Sequence, residues 1–103
     1  VHEEFIAAIH ERRKVRVTFR ADDDGLPRIR TCAPMDLGPR RNAKDRTPRY
    51  WFWDHDSPGG PHTLGLRPDQ IVSFESTEEA FDPAEFVDWT PNWFVPRDWG
   101  QYS

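Results

Sequence analysis

Arg16 and Arg20 lie four residues apart, and Arg28 and Arg30 two apart, in stretches where apolar and polar residues alternate. On a strand such spacings place each pair on one face. A guanidinium held there presents a planar fork of donors that suits phosphate or carboxylate. If the register of a hairpin brings the two pairs together, four arginines form a basic patch. It would lie near the cations Arg40, Arg41, Lys44, Arg46 and Arg49, with Tyr50 or Trp51 as a surface on which a base could stack. The expected site for a nucleic acid or other phosphate-bearing ligand is therefore Arg16, Arg20, Arg28, Arg30, Arg49, Tyr50 and Trp51. The competing reading is that outward arginines solvate a strand face and pair with acids elsewhere in the chain.

Other chemistries have weaker support. Asp54, His55, Asp56 and His62 are competent metal ligands around one turn, yet their spacing matches no established metal motif, and no metal site is expected. Cys32 falls inside a strand-like run, where an inert, buried thiol is the default. As the single cysteine it also excludes a disulfide framework. No Gly-x-Ser-x-Gly elbow, phosphate-binding loop or His-Glu-x-x-His sequence occurs. The expectation is no catalytic residue, no cofactor and no enzyme.

The elements that must position these residues follow from periodicity. Residues 3–12 read as an amphipathic helix with Phe5, Ile6 and Ile9 on one stripe and acids in the first turn. At Lys14 the period changes to two, giving a strand over 14–20 with Val15, Val17 and Phe19 inward. Asp22 to Gly25 form a turn, and a second strand over 28–32 is stopped by Pro34. Residues 34–49 read as an exposed loop with Leu37 as its anchor. Further strands are expected at 50–53, 62–66 and 71–75, followed by short helical turns at 77–81 and 82–86. A helix and five short strands with Gly/Pro turns predict a mainly β, small SH3-like or Sm-like five-stranded barrel. Residues 1–76 would be the barrel domain with its N-terminal helix. Residues 77–103 would be an acidic, aromatic and Pro-rich extension packed on the barrel, in one domain overall.

Charge and composition bound the partners. Residues 1–49 hold 12 Lys/Arg against 8 Asp/Glu, whereas residues 50–103 hold 2 against 10, so the net charge of −4 hides a basic half and an acidic half. Val, Ile, Leu and Phe number only 21 together, and five Trp and two Tyr make up the deficit. No apolar run is long enough to cross a membrane, and no leader is visible. A cytoplasmic protein with no membrane partner is expected.

The order of these elements resembles the WYL domain, a bacterial module named for a Trp-Tyr-Leu tripeptide. Ala7-Ala8-Ile9-His10 through Val15-Arg16-Val17-Thr18-Phe19 is similar to the family's opening helix and strand. Arg30-Thr31-Cys32-Ala33-Pro34 followed by Leu37 is similar to its "R-x-V-x-P-x-x-L" segment. Tyr50-Trp51-Phe52-Trp53-Asp54-His55-Asp56 stands at the signature, and Leu64-Gly65-Leu66 with Asp69-Gln70-Ile71 at the closing "F-R-L-D-R-I". The resemblance spans about residues 5–75 and implies an Sm-like or SH3-like barrel that serves as a regulatory module in transcription control, often beside a winged-helix domain of a longer parent protein. It implies a nucleic acid or small ligand as partner. Basic residues of the family's last motif fall here on Gly65 and Gln70. The alternative is a protein-interaction or oligomerisation module, for instance a homodimer, that uses the barrel surface and the aromatic tail.

Overall fold

The computed structural model describes residues 2–103. Helix α1 (His2–Glu11) is followed by strands β1 (Arg13–Arg20), β2 (Pro27–Gly38), β3 (Arg49–Asp54), β4 (His62–Leu66) and β5 (Ile71–Ala80). All pairings are antiparallel, in the order β4-β3-β2-β1-β5, and the sheet makes a small, mainly β, barrel-like domain. The fold class expected from periodicity is the fold found.

Glu3 and Glu4 occupy the first turn of α1, where acids complement the helix dipole. Arg12, at φ 54°, ends the helix in the left-handed region and turns the chain into β1. A helix this short is stabilised by what it buries. Phe5 is fully buried and meets Tyr50 and Phe52 edge-on, at 4.8 and 5.3 Å between ring centroids. Burial of one such ring is worth roughly 1.5–3 kcal/mol. Residues facing one another across antiparallel strands share a sheet face, so Val15, Cys32 and Asp54 lie on the inner face, as do Val17 and Phe74. Strand β3 alternates with the same sense: Tyr50, Phe52 and Asp54 are buried, Trp51 and Trp53 less so.

Two strands run further than their local sequence indicates. Pro34 does not stop β2, which continues to Gly38 through a register shift between Pro34 and Asp36. A bulge is one of the few places where a sheet accepts a proline. Residues 77–81 do not form a helical turn, because β5 continues to Ala80 opposite Arg13, and the Thr77 hydroxyl donates to the Lys14 carbonyl at 2.8 Å. Residues 82–86 do contain a short 3-10 turn, Pro83–Glu85, with the Asp82 side chain accepting from Ala84 N.

From Phe81 onward the chain crosses the outer face of β2 and β3. Phe81, Phe86, Val87 and Trp99 join the core, whereas Trp89 and Phe94 keep 42 % and 40 % of their surface exposed. Phe86 stacks on Trp53 at 5.6 Å with an interplanar angle of 10°. No helix among the described residues is long and apolar enough to cross a membrane.

Candidate anion-binding site

The hairpin register separates the arginines that spacing brought together. Val17 pairs with Arg30 and Phe19 with Arg28, whereas Arg16 pairs with Thr31 and Arg20 with Pro27. Arg28 and Arg30 therefore share the inner face with the core, and Arg16 and Arg20 point outward. No patch of four arginines forms. Arg28 closes the hairpin tip on Asp24 at 2.8 Å, and Arg30 sits 3.5 Å from the buried Asp54. Arg20 donates to the Gly25 carbonyl at 3.2 Å, and Arg16 stands opposite Glu75 of β5. Tyr50 is only 8 % exposed, and burial raises its pKa. It is a core ring, not a stacking platform.

Arg49 and Trp51 remain, two apart on the outward side of β3. They border the β2–β3 loop, residues 39–48, with Arg40, Arg41, Lys44 and Arg46. Among the described residues, none of these five cations has a carboxylate oxygen within 4.0 Å. The loop's own acid, Asp45, is occupied by the Thr47 hydroxyl at 2.6 Å and its amide at 2.9 Å, which hold the carboxyl below its ordinary pKa. Asn42 takes the left-handed conformation, φ 62°, that turns the loop.

Two of the loop arginines lie over aromatic rings. The Arg40 guanidinium is 5.6 Å from the Trp51 ring centroid, and that of Arg41 is 4.1 Å from the Phe94 centroid. Each ring has a glycine beneath it. A Cβ placed on Gly65 would run into the Trp51 indole, and one on Gly38 would run into Phe94. The Trp51 indole N–H donates to the Gly38 carbonyl at 2.9 Å, which ties the two seats together. A guanidinium over a ring gains about 0.5–1 kcal/mol at an exposed site. The N–H groups that make no bond within the chain remain open to a phosphate.

Phe94 reaches this position because the tail is fastened to β2. Asp36 is buried, and its carboxylate accepts from the amides of Leu37, Phe94 and Val95, each at 3.0 Å. Arg97 lies 3.4 Å from it with a fully buried side chain, between Trp93 at 4.1 Å and Trp99 at 4.4 Å. Its Nε and Nη2 donate to the Val95 carbonyl, at 3.1 and 2.9 Å, and its Nη1 to that of Met35. Burial pushes the Arg97 pKa down to about 10, with Asp36 opposing the shift, so the group is charged at neutral pH. Sequence reasoning missed this pair. The available signal was Arg97 itself, one of only 2 basic residues in the acidic half, set between two tryptophans.

The residues considered for a metal point apart. Asp54 faces inward beside Arg30, and Asp56 accepts from Thr31 N at 2.9 Å. His55 lies under Phe86 with Nε2 buried and unpaired, and His62 approaches the Gly60 carbonyl. Among the described residues no three His, Cys, Asp or Glu side chains converge. Cys32 is buried, and desolvation with the nearby Asp54 raises its pKa far above the range of a reactive thiolate.

No family model matches the chain, and no curated protein matches it in sequence. Among solved structures, the fold is similar to part of Proteasome accessory factor B/C (PafBC) of Arthrobacter aurescens, with a TM-score of 0.56 and 16 % identity. The likeness covers 85 % of this chain and 14 % of that one, so this chain corresponds to a small part of that protein. At this identity it is a likeness of fold alone.

Proposed function

We propose that the chain is a non-enzymatic regulatory module of WYL type that binds a nucleic acid or another phosphate-bearing ligand. The binding surface in this reading is the β2–β3 loop with Arg49 and Trp51, rather than the hairpin. One observation carries it: five cations that have no carboxylate partner among the described residues, two of them over aromatic rings that pack against glycine. Cations of this kind supply the salt-dependent part of phosphate binding. The sequence resemblance and the likeness of fold support the regulatory part, with the module working in the cytoplasm beside a winged-helix domain of a longer parent chain.

Titration with labelled single-stranded DNA and RNA at two salt concentrations tests the proposal. Affinity should fall with salt. Lys44→Ala/Arg46→Ala should weaken binding and make the salt dependence shallower, by about one unit for each phosphate no longer neutralised. Arg16→Ala/Arg20→Ala, on the outward hairpin face, should bind as the wild type does. Undetectable binding at low salt refutes the reading. A concentration-dependent dimer in the same sample would instead favour an interaction module, for which the exposure of Ile29 at 60 % and Trp89 at 42 % is the supporting observation.

A further inference from the structure

Arg41 is the loop residue in direct contact with the tail: its Nη2 donates to the Asn92 carbonyl, and its guanidinium lies on Phe94. A guanidinium has five N–H donors, so this bond leaves most of its edge open to a ligand. Phe94 in turn has no freedom to sit elsewhere while the tail is docked. Its ring rests on Gly38, and its amide and that of Val95 are bound to Asp36, which Arg97 faces from the other side. A chain of direct contacts thus runs from the buried carboxylate, through one ring, to a cation on the surface.

We infer that the tail forms half of the anion site: Asp36 and Arg97 position Phe94, Phe94 orients Arg41, and phosphate binding at the loop and docking of the tail strengthen each other. This rests on the loop being a phosphate site. It adds a consequence that the loop alone does not have, because coupling between two binding events is reciprocal. A tail that improves affinity for the ligand must itself be held more firmly once the ligand is bound. Asp36 and Arg97 are positioning residues in this scheme and touch no ligand.

The test uses the whole chain and a labelled oligo-thymidine strand, with inorganic pyrophosphate as the competitor that separates phosphate contacts from base stacking. Phe94→Leu keeps an apolar side chain on Gly38 but removes the ring face, and should weaken binding about 2- to 5-fold, the effect of one exposed cation–ring contact. Gly38→Ala should act in the same direction without altering any charge or ring, by displacing Phe94. Hydrogen exchange at the amides of Phe94 and Val95 should slow when the strand is added to the wild type, and should not slow in Arg41→Ala. That last readout is one a merely structural role for the tail would not move. Unchanged affinity in Phe94→Leu, or amides whose exchange does not slow, overturns the coupling while the binding reading stands. A wild type that does not bind the strand at low salt removes both.

Discussion

The outer face of the sheet is divided into two halves that use the same pair of residue types in opposite ways. Over β2 and β3 the tail covers the sheet, and Arg97 meets Asp36 with its side chain fully buried between two indoles. Over β1 and β5 the face is bare. Near its end Arg67 meets Asp22 at 2.9 Å and Asp69 at 3.1 Å, with the carboxylates 66 % and 72 % exposed. The exposed network has the shorter distances. Distance is nevertheless the wrong guide to which matters, because water competes for every exposed bond and salt screens it. In the buried pair, removal of either partner leaves a charge with no solvent to receive it.

The largest effect that can break this comparison is therefore at Asp36. Asp36→Ala strands the Arg97 cation and three amide donors, and should lower stability by about 3–5 kcal/mol in urea denaturation. A loss no greater than that of a surface substitution would mean that the two halves are alike. Trp99→Phe is the next step. It keeps an aromatic ring in the core but removes the indole N–H that donates to the Ile9 carbonyl at 2.9 Å. The Ile9 carbonyl keeps the Arg12 amide as a donor at 3.3 Å, so the loss is that of one net hydrogen bond, about 0.5–1.5 kcal/mol, readable as a drop in the urea midpoint.

A smaller, pH-dependent effect separates the halves further. Burial, with help from the Lys14 cation, holds His55 below its ordinary pKa of 6.5, against the opposing influence of Glu85, Asp54 and Asp56. The unfolded chain then takes up the proton before the folded one does. Stability should fall as pH drops from about 6.5 towards the lower folded-state value, and His55→Phe should flatten that part of the profile. At the bottom of the scale stands Asp22→Asn, on the bare half. In moderate salt it should leave the urea midpoint where it was. A clear shift there would show the exposed network to be more than solvated charge.

What is legible in the sequence follows the same division. The alternation in β1 and in Tyr50-Trp51-Phe52-Trp53 marks the inner face, because an inner residue is selected by burial wherever it lies along a strand. The parity between β1 and β2 is not readable in advance. It depends on the turn between Ala21 and Leu26, with Gly25 at φ 68°, and a one-residue change there would send Arg28 and Arg30 to the other face. At Pro34 and over Glu78-Glu79-Ala80 local propensity misleads, because it opposes a strand that tertiary pairing supports. Asp36 and Arg97 stand 61 positions apart, and no local pattern links them. The loop cations are visible as a cluster, but Phe94 as the seat of Arg41 requires the path of the tail.

The bond from the Trp99 indole to the Ile9 carbonyl joins residues 90 positions apart. Translation proceeds from the N-terminus, at about 5–20 residues per second, and contacts this distant are closed late and at an entropic cost. While the ribosome still holds the tail, α1 can form but its last carbonyls lack this donor, and the aromatic surface of Trp53 is uncovered. For those seconds the nascent domain presents the aromatic surface that the finished one hides.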